Sequence, residues 1–115
     1  MTLTDFYAGF HSSLDAVLQR IPSEAMIRRF LKMYPQDESF PQLLQAAEKR
    51  DWNTAFRTAH TLKGVAGNLG LESLRAAAST LAEALRGGKP LENPALLDDV
   101  KREQEKTLSA LSELE

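Results

Sequence analysis

The chain has 115 residues, 43% apolar and 26% charged, which is enough for one hydrophobic core and excludes disorder, fibrous classes and a catalytic domain with a separate cofactor domain. Fourteen Lys and Arg face sixteen Asp and Glu, a net charge of −2, the wrong balance for binding a phosphate backbone, so no nucleic-acid partner is expected. Cysteine is absent, which removes disulfides, thiol nucleophiles and thiolate metal sites.

No window approaches the roughly 18 uncharged apolar residues of a membrane span, and Met1–Asp5 carries no basic stretch leading into an apolar run. A soluble cytoplasmic protein without membrane contact is expected. Alternating strand patterns and Asn-Gly turns are missing, whereas apolar residues recur at threes and fours, so the chain reads as all-α. Leu3, Phe6, Tyr7, Phe10, Leu14, Val17 and Leu18 form one stripe, which predicts a first helix over residues 3–20 with Thr2 or Thr4 as its cap. Ile21-Pro22 breaks it. A second helix, residues 22–50, buries Met26, Ile27, Phe30, Leu31 and Tyr34, is kinked or broken near Pro35, and resumes with Phe40, Leu43, Leu44 and Ala47.

The third helix spans residues 51–69, with Asp51 or Asn53 as cap and Gly70 as the left-handed residue beyond its end. The fourth spans residues 72–86 with Leu74, Ala77, Ala78, Leu81 and Leu85 inward, and Gly87-Gly88 stops it. Asn93-Pro94 opens the last helix, residues 94–114, whose inward stripe reads Leu97, Val100, Gln104, Leu108 and Leu111. Short Gly turns between long helices make antiparallel neighbours. The expected fold is one domain over residues 1–115, an antiparallel four-helix bundle with an N-terminal helix covering one end or side.

The segment Ala59-His60-Thr61-Leu62-Lys63-Gly64-Val65-Ala66-Gly67-Asn68-Leu69-Gly70 carries the chemistry. With Leu62 at the core centre and about 100° per residue, Ala55, Ala59, Ala66 and Leu69 share its face. Asn53, Arg57, His60, Lys63, Gly64 and Gly67 gather opposite, so a mid-helix histidine points at solvent beside a lysine and two glycines. Each glycine costs a helix interior about 1 kcal/mol relative to alanine, a loss with no packing return on a solvated stripe. Positions without side chains clear a bowl around the imidazole, through which a bulky group can approach its outer nitrogen. Lys63 is then within reach of an anion on that nitrogen. The plainer alternative is a chance surface histidine on a helix whose glycines permit close packing.

The string Ala59 to Gly70 resembles the hallmark of histidine-phosphotransfer (HPt) domains of bacterial multistep phosphorelays: Ala-His-x-Leu-Lys-Gly, then small residues and Gly-x-x-Gly. Phe30, Phe40, Leu43 and Asp51-Trp52 are similar to HPt domains at the C-terminal end of hybrid sensor kinases, and Leu74, Ala78 and Leu81 to the following helix, so the likeness covers about residues 22–88. It implies an HPt bundle in which His60 accepts a phosphoryl group from a receiver-domain aspartate and passes it to another. It also implies that Lys63 contacts the phosphoryl oxygens and Gly64 leaves room for the partner. Phe56, Arg57, Gly67 and Asn68 are the expected docking residues. Many members carry a Gln or Glu on the next helix that hydrogen-bonds the inner nitrogen; here Ala82 takes that place, with Glu83 adjacent.

Other chemistry lacks a foundation. A phosphate-binding loop needs Gly-Lys-Ser/Thr at its end, but Lys63 precedes the glycines. His11 and His60 are the only histidines and form no paired metal-ligand spacing, so no metal or cofactor is expected. No Gly-x-Ser-x-Gly elbow is present. His11 reads as a bystander, Trp52 as a core or helix-start anchor, and residues 101–106 as a solvated face. Two functions remain: a phosphorelay intermediate with no ATP site and no kinase activity, acting as a monomer between receiver domains with a hybrid sensor kinase as a further candidate partner, or a non-phosphorylated helical adaptor docking to receiver domains or kinases through the same face.

Overall fold

The computed structural model describes residues 1–114; Glu115, the last residue of the expected domain, lies outside the described residues. The elements are α1 (Leu3–Ala8), α2 (Leu14–Leu18), α3 (Glu24–Met33), a 3₁₀ turn (Tyr34–Gln36), α4 (Ser39–Glu48), α5 (Trp52–Leu69), α6 (Glu72–Leu85) and α7 (Ala95–Glu113). Among the described residues there is no strand. Helix α5 packs against α4 on one flank and α6 on the other, and α6 against α7. The buried hydroxyl of Tyr34 donates to Gln104 Oε1, joining the end of α3 to α7 and closing the antiparallel bundle.

Local signals set the element ends. The side chains of Ser23 and Asp51 accept from Met26 N and Thr54 N at 3.2 Å, capping α3 and α5. Asn93 Oδ1 accepts from Ala95 N at 3.1 Å at the start of α7. Gly70 adopts φ +77°, and the chain reverses into α6 within two residues. Ala55, Ala59, Leu62 and Ala66 are fully buried, and Leu69 nearly so, which sets the rotation of α5.

The single helix expected over residues 3–20 is two short ones. Gly9 ends α1, His11 takes a left-handed φ of 57°, and the Ser13 side chain caps α2 by accepting from Ala16 N. Ser12 and Ser13 offer the backbone local alternatives to a continuous helix. The break also frees the Phe10 carbonyl, which accepts from Ser73 N at 3.1 Å and caps the start of α6, where Leu71 offers no capping side chain. The stripe survives the break: Leu3, Phe6, Tyr7, Phe10 and Val17 are all buried. The Tyr7 hydroxyl donates to the Leu69 carbonyl at 2.7 Å, and Lys106 Nζ lies 4.8 Å from the Phe10 ring centre. This N-terminal unit therefore covers the end of the bundle where α5 turns into α6.

At Pro35 the helix is broken, not merely kinked. The 3₁₀ turn gives way to an extended Asp37, whose Oδ1 accepts from Ser39 N at 2.9 Å. Pro41 falls in the first turn of α4, where a missing N–H costs nothing. Two expected core residues are exposed: Phe30 at 36% and Leu108 at 40%. On α3 the buried line is Ile27, Leu31 and Tyr34, which leaves Phe30 about 65° off its centre. On α7 it is Val100, Gln104 and Thr107, and the Thr107 hydroxyl satisfies itself by donating to the Glu103 carbonyl at 2.7 Å.

A Cβ at Gly70 would overlap Val17 Cγ2 and come within 3.0 Å of Tyr7 Cε1, on a backbone that L side chains rarely adopt. Gly70→Ala is expected to cost about 2–4 kcal/mol, read as a lower denaturant midpoint at unchanged slope. Burial raises the phenols of Tyr7, partly offset by Arg20, and of Tyr34, reinforced by the Asp37 charge and partly offset by Gln104, well above their ordinary value of 10.0. Both are neutral in the folded state while the unfolded chain ionises them, so their contribution is intact below about pH 10 and is lost as pH rises further. Alkaline unfolding profiles should show this loss, and Tyr34→Phe should flatten it.

Candidate functional site

Because the Ala55, Ala59, Leu62, Ala66 face is buried, His60 is turned outward near the middle of α5. Its ring stacks on Phe56 one turn earlier, with centroids 6.1 Å apart and planes 23° apart. Phe56 is half-buried and packs against the core, while the Arg86 guanidinium sits 5.4 Å from its ring centre. Lys63 is half-buried and Gly64 exposed, and a Cβ on Gly64 would meet nothing within 4 Å. The space beside the imidazole is therefore open.

The two glycines differ. Gly67 is half-buried; its Cβ would lie 3.4 Å from Arg75 Cδ, and its carbonyl accepts from Arg20 Nη2 at 2.9 Å. The bowl expected around both positions opens at Gly64, whereas Arg75 and Arg20 occupy the surroundings of Gly67. Arg57 is exposed and donates to Thr54 Oγ1 at 3.1 Å. Asn68 is exposed on the far flank, lining a groove of about 630 Å³ with Phe30, Met33, Val65 and Arg20. His60, Phe56, Lys63 and Gly64 thus share one face, Arg57 lies beside it, and Gly67 and Asn68 lie about two turns along α5.

Across from His60, the family's usual Gln or Glu is replaced by Ala82, 3% exposed, and no side chain among the described residues hydrogen-bonds the imidazole. Glu83 is instead held by Arg86, whose Nε donates to both carboxylate oxygens at 2.9 and 3.0 Å. That bond first, then the Arg86 charge, with a smaller contribution from Lys63, keeps the Glu83 carboxyl below the usual carboxylate range. Arg86 was not singled out in the sequence. The signal is the hairpin itself: with Ala82 opposite His60, position 86 falls one turn further on, opposite Phe56.

Among the described residues no three His, Cys, Asp or Glu side chains gather as a metal site would need, and no helix is long and apolar enough to cross a membrane. His11 is exposed on the turn between α1 and α2, away from α5's outward face.

Neither the curated proteins nor the solved structures contain a significant match to the chain. A family model described as "Hpt domain" matches residues 25–114, running beyond the stretch to residue 88 that motif likeness suggests and taking in α7. An all-helical bundle carrying an exposed mid-helix histidine and a model match over most of its length make this chain a member of the Hpt domain family, a histidine-phosphotransfer domain.

Proposed function

We propose that the protein is a phosphorelay intermediate in which His60 takes a phosphoryl group from the aspartate of one receiver domain and gives it to the aspartate of another. The observation that carries this reading is the exposure of His60 beside the open space at Gly64, in a chain of the Hpt family. In the forward step the Nε2 lone pair attacks phosphorus, the bond between phosphorus and the aspartyl oxygen breaks, and its electron pair leaves with the carboxylate. The ring keeps its proton on Nδ1. The forward step exchanges one P–O for one P–N bond and onward transfer reverses that exchange, so the chain needs no nucleotide and acts as a carrier without kinase activity of its own.

Lys63, one turn from His60, contacts the phosphoryl oxygens, and Gly64 admits the donor aspartate. Phe56, Arg57, Gly67 and Asn68 belong to the docking face, which mixes cations with the apolar surface of Phe56 and the exposed Phe30 and Met33. Receiver active sites are acidic in this family, so opposite charge steers a small, short-lived interface. The protein is expected to work as a cytoplasmic monomer.

Mixing the chain with a phosphorylated receiver domain should place an acid-labile, base-stable label on it. His60→Gln should abolish that label while leaving the melting temperature close to wild type, since an exposed side chain contributes little to stability. His11→Gln should keep it. Label retained in the His60 variant, or lost in the His11 variant, would overturn the assignment, and a stable complex without label would favour the adaptor.

Gly64 separates access from stability. An added Cβ meets nothing, so Gly64→Ala should stabilise the helix by up to about 1 kcal/mol. Gly64→Gln should fold normally yet slow transfer at least about tenfold by filling the approach to Nε2. Wild-type transfer kinetics in Gly64→Gln would remove the steric role.

A further inference from the structure

Arg86 closes α6 just before two left-handed glycines, Gly87 and Gly88. Its Nε is committed to Glu83 and its face lies over Phe56, but its terminal amino groups donate to no partner among the described residues. The same Phe56 ring stacks on His60. The carboxylate therefore holds a cation that lies over the same ring on which His60 stacks. Glu83 and Arg86 side chains are 58% and 61% exposed, so this pair is held by little energy and can be exchanged for another anion.

We propose that Glu83 is the resident counter-ion of the phosphoryl site: it occupies Arg86, which a phosphoryl group on His60 would otherwise engage, and so limits how fast and how far His60 is phosphorylated. This rests on the phosphorelay reading above and adds a positioning residue to it. A phosphoryl dianion outcompetes a carboxylate for a guanidinium fork because it carries more charge and one more acceptor oxygen. Before transfer, Glu83 keeps Arg86 ordered on Phe56; after it, the released carboxylate repels the phosphoryl group and biases it toward onward transfer. The role differs from that of a hydrogen-bond acceptor for Nδ1, since Glu83 acts through Arg86.

Phosphoramidate tests this without a cognate receiver. Its P–N bond breaks as Nε2 attacks, ammonia leaves with the electron pair, and the ring again keeps its Nδ1 proton. At low salt, Glu83→Gln should be phosphorylated on His60 about three- to tenfold faster than wild type, and the gain should shrink at about 0.5 M salt. Arg86→Gln should be slower than wild type. Combining Glu83→Gln with Arg86→Gln should remove most of the gain, because the carboxylate then has no cation to withhold. Glu105→Gln, the same charge change on the exposed face of α7, should match wild type. Wild type labelled on His60 with Glu83→Gln no faster at either salt would overturn this proposal alone. Wild type that neither phosphoramidate nor a phosphorylated receiver labels on His60 would overturn the phosphorelay reading, and this one with it.

Discussion

The burial of one face of α5 governs the rest of the molecule. Ala55, Ala59 and Ala66 leave so little side chain around Leu62 that α4 and α6 can approach α5 closely from either flank, and the three helices lock in rotation. A helix that is fixed on one side has no freedom on the other. His60 is outward because Ala59 and Leu62 are inward, and the face that presents it is a geometric consequence of the core. Core packing is hard to perturb, since small volume changes are felt at once. It fixes the backbone that carries the imidazole, while the Phe56 ring stacked on it is the side-chain contact the ring makes among the described residues.

That explains why the outward placement of His60 and Gly64 is legible from sequence while parts of the scaffold are not. The α5 stripe is uninterrupted, its cap and its terminal Gly70 are explicit, and stepping at the helical angle puts His60, Lys63 and Gly64 on the exposed side without tertiary information. The N-terminal stripe was equally regular, and its buried residues were correctly read. Continuity was not, because a stripe records which residues face inward and not whether the backbone between them stays helical. Gly9, Ser12 and Ser13 were the available signal for the break. Its purpose, presenting the Phe10 carbonyl to Ser73, depends on a residue more than sixty positions away and is invisible locally.

The misread core positions have the same origin. Phe30 and Leu108 are apolar neighbours of buried residues, and a pattern that scores hydrophobicity prefers Leu108 to Thr107. The structure prefers the residue at the correct angle, because Thr107 can satisfy its hydroxyl on its own helix. Arg86 was missed for another reason: its importance arises from the α5–α6 hairpin, which juxtaposes it with Phe56, and no helix-by-helix reading contains that contact.

A phosphoryl carrier must bind its cargo without keeping it, and the division between core and surface meets that demand. The fixed elements are apolar: the α5 face, the Tyr7 and Phe10 cover, and the Tyr34–Gln104 closure. The electrostatic elements around His60 are exposed, and exposed pairs contribute little each. The proposed exchange of Glu83 for a phosphoryl group as the partner of Arg86 would therefore leave the fold untouched, whereas a buried pair would resist exchange or destabilise the bundle when broken. Gly64 follows the same logic. It gives up about 1 kcal/mol of helix stability, a loss a well-packed bundle can absorb, and leaves open space beside the imidazole that the proposed transfer would use in both directions.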